Sequence, residues 1–402
     1  MLFDRCRIGG IDAACPIVRS ATFEGMADAQ GYPTDKLAQM YERLADGGVG
    51  VMITGMMAVS TLEPRQHRQI RIDDDSCVAP LADMVRRVHG RGGKIVAQIV
   101  VMGSSIMMPE GERRIIVSPS GVTEKLGKIE QESHALTTDE IARLTEDAGR
   151  AALRAKEAGF DGVQFHSAHG YLASKFLSPY FNRREDEYGG SDENRARFAL
   201  EILQAIKRGA GNDMPVIYRI SMDHRIPGGR TLEDSKRLIK ILGENGVDAF
   251  DVDCGCYEHP DFVYPTFYRG DACMEYVCDT AREATDKPIL NSGNHTPQTA
   301  KHLIESGRAD FAMMGRPLIA DPYLPRKLME NREEDVRPCI RCNEECIGRI
   351  WGRYSKLSCA VNPQANEEHA FRIVKTETPK NVVVIGGGNV AMDCARSAVR
   401  CN

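Results

Sequence analysis

Eight short apolar runs, each followed by a helix pattern or a long excursion, constrain the fold of this 402-residue chain more than any other feature. The runs are rich in β-branched residues and are continuous rather than alternating, which is typical of strands buried on both faces. Eight such strands alternating with helices predict an α/β fold, a (β/α)8 TIM barrel. The runs lie at 16–21, 49–54, 94–100, 162–167, 215–221, 249–253, 288–292 and 309–315.

The helix patterns between these runs carry their own start signals. Thr137 followed by Glu140 predicts a capping box at the start of a long helix. Thr296 followed by Pro297 predicts a second helix start, and Thr231 predicts a third. These signals separate the strands by helix-length segments, as a barrel requires.

The chain changes character after its last apolar run. We expect a barrel over 1–335, a cysteine-rich segment over 336–365, and a polar linker with an incomplete dinucleotide-binding stub over 366–402. The stub reads as a strand at 382–385, a glycine turn and a helix. The acidic residue that a dinucleotide site needs on the next strand would follow Asn402. We therefore expect a truncated or internally deleted Rossmann-like βα unit.

Composition narrows the class of partner. The chain has 52 basic and 57 acidic side chains, so nothing favours binding to nucleic acid. Its apolar runs are strand-sized and its mean hydropathy is −0.35, which argues against a membrane span. Thirteen cysteines without a signal peptide argue against a disulfide framework. We expect a cytoplasmic protein.

Chemistry-bearing side chains cluster at the end of the fourth run. The C-terminal ends of barrel strands face the active site. There the sequence reads His166-Ser-Ala-His169-Gly-Tyr171. Two imidazoles and a phenol so close together can converge on one substrate oxygen or carbon. Ordinary polar loop residues are the alternative interpretation.

Four cysteines follow the barrel with the spacing of a metal site. They are Cys339, Cys342, Cys346 and Cys359. Four thiolates in this order can each ligate one iron of a cubane cluster. A zinc ion held by all four sulfurs is the chemical rival, and spacing alone does not decide between them.

Several motifs together resemble the Old Yellow Enzyme family of FMN-dependent reductases. The fourth strand and its loop read VQFHSAHGYLASKFLSPYFNRREDEYGG, and RSATFEGMAD, IYRIS, NSGNHTP and MMGRPLIADP fit at strands 1, 5, 7 and 8. The resemblance covers residues 1 to about 365. Within the family, the chain is similar to the long bacterial iron–sulfur branch, which includes 2,4-dienoyl-CoA reductase and 2-enoate reductase. It implies a [4Fe-4S] cluster on the four cysteines and NAD(P)H as the ultimate electron donor. FAD is implied only if a missing domain is supplied elsewhere.

The resemblance also implies a set of FMN contacts. Thr22 would bond the flavin near O4 and N5, Gln98 its pyrimidine edge, and Arg219 its N1 and O2. The phosphate would lie in the turns after strands 7 and 8, a common phosphate site in barrels. The expected cofactor-binding residues are Ser20, Ala21, Thr22, Gly55, Gln98, Arg219, Gly293, Asn294, Gly315 and Arg316.

For the substrate, the resemblance implies an ene-reductase. Hydride would pass from reduced FMN to the β-carbon of an α,β-unsaturated carbonyl compound, such as an enoate, an enoyl-CoA or a keto-steroid. His166 and His169 would hydrogen-bond the carbonyl oxygen, and Tyr171 would protonate the α-carbon. Tyr257 stands where dienoyl-CoA reductases have a histidine, and we expect it to contact substrate.

Two other functions stay open at this point. Amine dehydrogenase-like oxidative demethylation needs an aromatic bowl. The single tryptophan, Trp351, lies inside the cysteine segment, which disfavours that function. A non-catalytic flavin and iron–sulfur electron-relay module would not require His166, His169 or Tyr171. A homo-oligomer or a separate electron-donor protein is compatible with each of these functions.

Overall fold

The computed structural model describes most of the chain and has a barrel at its centre. No helix in the part that it describes is long and apolar enough to cross a membrane. The described residues are 2–62, 65–103, 116–126, 129–353, 355–368, 370–371 and 374–402.

Eight parallel strands close into the barrel, and each lies inside or at one of the eight apolar runs. Strands β1 to β8 pair in chain order, and pairing between β8 and β1 closes the circle. The fold is therefore the predicted (β/α)8 TIM barrel. The strands are β1 Ile17–Arg19, β2 Val51–Ile53, β3 Ile95–Val100, β4 Gly162–Ser167, β5 Val216–Ser221, β6 Ala249–Asp253, β7 Ile289–Asn291 and β8 Phe311–Met313.

Helices cover the outside of the barrel and continue beyond it. Short 3₁₀ segments lie at Asp75–Cys77, Phe267–Arg269 and Glu333–Asp335, and a π-helical turn lies at Glu344–Gly348. The α-helices are α1 Asp35–Asp46, α2 Val78–His89, α3 Thr138–Glu157, α4 Leu172–Phe176, α5 Asp192–Ala210, α6 Leu232–Glu244, α7 Val277–Ala284, α8 Pro297–Glu305, α9 Arg316–Ala320, α10 Leu324–Met329, α11 Arg349–Arg353 and α12 Asn389–Cys401.

The predicted helix starts are confirmed. Thr137 accepts from the backbone N–H of Glu140, whose carboxylate accepts in turn from the Thr137 N–H, so the capping box of α3 is complete. Thr231 caps α6, and Thr296 caps α8 with Pro297 at its first position. The caps satisfy backbone donors that the first helical turn leaves free.

A short hairpin fills the lower end of the barrel. Cys6–Ile8 pairs antiparallel with Ile11–Ala13. Ile8 and Ile11 are buried together with inward-facing strand residues such as Val51. Three further strand pairs lie on the periphery. Met57–Ala58 pairs with β3, Ile116–Ser118 with Ser133–Ala135, and Glu124–Leu126 with Ile129–Gln131. The lower end is thus an apolar plug, which leaves the upper end for chemistry.

The strand predicted at 382–385 is wrong. These residues form no strand, and Val382, Val383 and Ile385 are 57%, 84% and 95% exposed. A single extended segment without a neighbouring strand leaves its backbone donors and acceptors to water, so apolar sequence alone does not make it a strand. The helix predicted after it is confirmed as α12, which has no buried residue.

Candidate active site

The upper ends of the strands surround one large cavity of about 240 Å³. Nine of the ten expected cofactor-binding residues line it: Ser20, Ala21, Thr22, Gln98, Arg219, Gly293, Asn294, Gly315 and Arg316. Gly55 is not among the lining residues. Its N–H donates to Glu24 at 3.1 Å and to the Tyr41 hydroxyl at 3.2 Å, in a buried network beside the cavity.

Strand register brings the central polar groups side by side. His166 on β4 lies opposite Arg219 on β5, which lies opposite Asp251 on β6. Partners in adjacent parallel strands point to the same face, so these side chains share one layer of the barrel interior. The layer combines an imidazole, a guanidinium and a carboxyl group, and the first two of these line the cavity.

A row of amides extends this layer towards β3. The Gln98 side-chain amide donates to the Gln164 carbonyl oxygen at 2.6 Å, and the Gln164 amide donates to Asp251 at 3.0 Å. Gln98 is fixed from behind, because its backbone N–H donates to Thr54. Bonding to Gln164 orients the Gln98 amide at the cavity wall, where a heteroaromatic edge could meet it.

Arg219 lies between two buried carboxyl groups. Its Nε and Nη2 donate to Asp253 Oδ2 at 3.0 and 2.8 Å, and its Nε lies 3.5 Å from Asp251 Oδ2. Burial disfavours the charged guanidinium, but the two aspartates outweigh burial and raise the pKa of Arg219. Arg219 therefore remains a fixed positive charge, which the neighbouring carboxyl groups neutralise in part.

Asp253 also contacts His169 and Ser221. Its Oδ2 lies 2.8 Å from Nε2 of His169, and its Oδ1 accepts from the Ser221 hydroxyl at 3.0 Å. Sequence reasoning missed Asp253. The signal was an acidic residue at the C-terminal end of a barrel strand, where catalytic side chains lie.

The two histidines lie against each other with different hydrogen bonds. Their ring centroids are 5.3 Å apart. Nδ1 of His166 accepts from the Ala168 N–H at 3.3 Å, whereas Nε2 of His169 is held by Asp253. Burial lowers the pKa of both imidazoles, most strongly that of His166, whose neighbour Arg219 adds to the effect. His166 is thus a neutral ring whose free Nε2–H can donate.

Tyr171 begins a chain of three phenols. Its hydroxyl lies 2.8 Å from that of Tyr257, which lies 3.0 Å from that of Tyr264. Tyr171 is 3% exposed, and burial raises its pKa above the ordinary value, so the phenol is protonated at neutral pH. Burial also raises the pKa of Tyr264, to about 12. The three hydroxyls can pass a proton along the cavity wall.

Trp351 also lines the cavity, so its place in the cysteine segment does not by itself disfavour an aromatic bowl. Its ring centroid lies 5.5 Å from that of Tyr257 and 5.7 Å from that of Tyr264. The cause is packing of the segment on the barrel mouth, where Ile350 and Leu357 form a small buried cluster with Phe23. The site therefore has an aromatic wall of Tyr257, Tyr264 and Trp351.

The turns after β7 and β8 form the other end of the cavity. Gly293 has φ of 136°, and a Cβ there would lie 2.9 Å from the Met274 side chain, so only glycine fits. Arg316 donates to the side-chain oxygens of Asn294 at 2.6 Å and Asn343 at 2.5 Å. Among the described residues, no Asp or Glu side chain lines the cavity. This end is therefore suited to an anion.

The four cysteines line one small second cavity of about 20 Å³, together with Arg316. Burial raises the pKa of Cys346 to about 11 and also raises that of Cys359. In the described part of the chain, no three His, Cys, Asp or Glu side chains are close enough to hold a metal ion. The four thiols are the kind of donor that iron–sulfur clusters and zinc prefer, and they share one cavity. They do not lie as close together as the ligands of a formed metal site.

Comparison with known proteins gives relatives for the whole chain. An NADH oxidase of Thermoanaerobacter brockii is 37% identical over 99% of this chain and 61% of its own length, and a cinnamate reductase of Clostridium sporogenes is 32% identical over 99% and 63%. The structure of a 2-naphthoyl-CoA reductase in complex with 2-naphthoyl-CoA matches with a TM-score of 0.92 at 27% identity, over 99% of this chain and 63% of that one.

This chain thus spans about three fifths of the length of these relatives. The family described as NADH:flavin oxidoreductase / NADH oxidase matches residues 3–335, which include all eight barrel strands. The resemblance to Old Yellow Enzyme proteins agrees with this match. The chain belongs to the NADH:flavin oxidoreductase / NADH oxidase family.

Proposed function

We propose that this chain is an FMN-dependent ene-reductase that reduces the activated C=C bond of an α,β-unsaturated carbonyl compound. One observation carries the proposal: His166, His169 and Tyr171 line the same cavity as the residues suited to hold a flavin. A group that only relayed electrons would need none of these three side chains. The cinnamate reductase and 2-naphthoyl-CoA reductase named above support a substrate with a conjugated carbonyl group.

The lining residues fit FMN. Arg316 and the glycine turn at Gly293 would hold its phosphate, Gln98 and Arg219 would meet its pyrimidine edge, and Thr22 would lie beside the ring. Bound FMN would supply hydride chemistry, with NAD(P)H as the ultimate donor. The chain's own task is to position the substrate and to manage the protons.

Activation of the substrate falls to the two histidines, in unequal roles. His166 is neutral with Nδ1 accepting, so its Nε2–H donates to the carbonyl oxygen. His169 gives Nε2–H to Asp253, which leaves only Nδ1 for the substrate. Because its pKa is lowered, His169 stays neutral and its Nδ1 carries no proton, so it positions the ring of His166 and leaves donation to the carbonyl oxygen to His166. Donors at this oxygen stabilise the enolate charge that develops when the β-carbon is reduced.

The proton for the α-carbon comes from Tyr171. The buried phenol is fully protonated at neutral pH and lies with its ring centroid 4.7 Å from that of His166. After the transfer, Tyr257 and Tyr264 return a proton to Tyr171 through hydroxyl contacts of 2.8 and 3.0 Å. General-acid catalysis of this kind contributes roughly 10²–10⁴-fold in rate.

We propose further that Cys339, Cys342, Cys346 and Cys359 hold a [4Fe-4S] cluster, with zinc as the alternative. The shared cavity and the all-sulfur donor set support a soft-metal site. In this proposal the cluster segment is 336–365, which follows the FMN barrel at 1–335 and precedes the linker and stub at 366–402. Iron, sulfide and zinc counts on anaerobically purified protein distinguish the two metals.

The test of the reductase is the variant Tyr171→Phe. We expect alkene reduction to fall roughly 100-fold or more, because the α-carbon loses its proton donor. Reduction of the flavin by an artificial reductant should stay unchanged, because it does not need this phenol. The matched control is Tyr180→Phe, which changes a partly exposed phenol outside the cavity lining. An unchanged alkene rate in Tyr171→Phe would assign the proton to another group.

Oxidative demethylation of an amine is a second candidate, because the wall of Tyr257, Tyr264 and Trp351 could face an alkylammonium group. The absence of an acidic side chain from the lining, among described residues, disfavours a cation there. Turnover of cinnamate and of dimethylamine by the same preparation separates the two functions. Amine oxidation that survives Tyr171→Phe, without alkene reduction, would favour the second candidate.

A further inference from the structure

The turn between the first two clustered cysteines enters the mouth of the flavin cavity. Arg341 lines that cavity with a side chain that is 16% exposed. Its Nη2 lies 2.5 Å from Asp271 in the loop after β6, and its backbone N–H donates to the Cys339 sulfur. Its backbone has φ of 56°, so the turn is held in a conformation that non-glycine residues seldom adopt. Contacts to both the barrel and the cysteine fix the place of this guanidinium.

Asn343, which directly follows Cys342, ties two parts of the site together. Its Oδ1 accepts from Arg316 Nη1 at 2.5 Å, and its Nδ2 donates to the Tyr264 carbonyl oxygen at 2.9 Å. The other terminal nitrogen of Arg316, Nη2, donates a hydrogen bond to Asn294 Oδ1. Two amide oxygens therefore aim the guanidinium of Arg316, one from the barrel and one from the cysteine segment.

The positive charges of Arg316 and Arg341 favour an anion at this end of the cavity. Within the described residues, Arg316 contacts neutral amide oxygens and makes no ion pair with a carboxylate. Arg316 and Arg341 line the same cavity, and Asp271 pairs with Arg341 from one side only, so a phosphate bound in the cavity can accept from both guanidiniums and offset their repulsion.

We propose that Arg341 is a ligand of the FMN phosphate and that Asn343 positions Arg316 for the same phosphate. The cysteine segment then completes a binding site that the turns after β7 and β8 begin. This inference rests on the proposed function, since it takes FMN as the anion. It adds a phosphate ligand outside the barrel to the residues expected from the sequence.

The test compares binding of FMN and riboflavin, which differ only in the phosphate. We expect Arg341→Gln to weaken FMN binding roughly tenfold or more, the size of a charge-assisted hydrogen bond, and to leave riboflavin binding within about twofold. Asn343→Gly should act in the same way while keeping the backbone of Asn343, whose φ is 58°. Dissociation constants come from quenching of flavin fluorescence.

Arg349→Gln is the matched control. It makes the same change in the same segment, but Arg349 pairs with Glu345 and lines neither cavity. Retained riboflavin binding shows that each variant is folded. FMN affinities of Arg341→Gln and Asn343→Gly equal to that of the control would overturn the inference. Wild-type protein that binds neither flavin would instead overturn the proposed function.

Discussion

Asp251 and Asp253 lie two residues apart on β6, yet their surroundings give them opposite protonation. Burial raises the pKa of Asp251 to about 7, and the neighbouring Asp253 carboxylate adds to the rise, because Arg219 and Gln164 offset these effects only in part. Burial acts on Asp253 as well, but His169 and Arg219 outweigh it and hold its pKa well below the ordinary value. The pair therefore carries one negative charge rather than two beside Arg219 in weakly acidic solution.

Asp251→Asn should remove one component of the pH dependence of stability. The folded pKa of about 7 exceeds the unfolded value of about 3.9, so the folded state holds an extra proton between them. This contribution to stability is complete below about pH 4 and is lost as the pH rises to about 7. Asparagine resembles the protonated acid and does not titrate, so the variant should gain stability relative to wild type over that range.

Urea unfolding of both proteins at several pH values measures this difference. The buried histidines have lowered pKa values and therefore contribute with the opposite sign, but they are present in both proteins and cancel. Asp213→Asn, at an exposed carboxylate paired with Lys156, is the control. A stability difference for Asp251→Asn that does not change with pH would show that Asp251 is ionised in the folded protein.

Among the elements, α3 depends on a local signal that can be removed cleanly. Thr137→Ala deletes the side chain that accepts from the Glu140 N–H and disrupts the capping box of this 20-residue helix. We expect a loss of about 1 kcal/mol in the free energy of unfolding, the typical cost of an N-cap. Thr138→Ala at the next position, which is also exposed, is the control and should change stability by less than about 0.5 kcal/mol. Equal effects of the two substitutions would contradict the cap.

Helices and strands that depend on neighbouring residues in the sequence could be predicted, and contacts between residues far apart in the sequence could not. Each barrel strand was found because its apolar run is continuous, and α6 because Thr231 caps it. The pairing of His169 with Asp253 joins the loop after β4 to the end of β6, and Trp351 reaches the cavity only because the cysteine segment folds back. The strand predicted at 382–385 failed for the same reason, since pairing with a neighbour decides it.

At the scale of the whole molecule, Arg316 joins the two candidate cofactor sites. It lines both the flavin cavity and the small cavity of the four cysteines, at the start of α9. Asn343, between Cys342 and Cys346, fixes its orientation. A metal bound by the cysteines would restrict the turn that carries Asn343 and Arg341, so binding at one site should favour binding at the other.

Reconstitution of iron-free protein with iron and sulfide should therefore raise FMN affinity, by roughly fivefold or more for a coupling of ordinary size. The increase should be smaller for riboflavin, because the coupling acts through groups that meet the phosphate. It should disappear in Asn343→Gly, which cuts the contact with Arg316 but leaves every cysteine in place. Because coupling is reciprocal, FMN should slow the loss of iron to a chelator, and riboflavin, which lacks the phosphate, should not slow it in this way. Equal FMN affinity with and without iron, in protein whose iron content has been verified, would show that the two sites are independent despite their shared arginine.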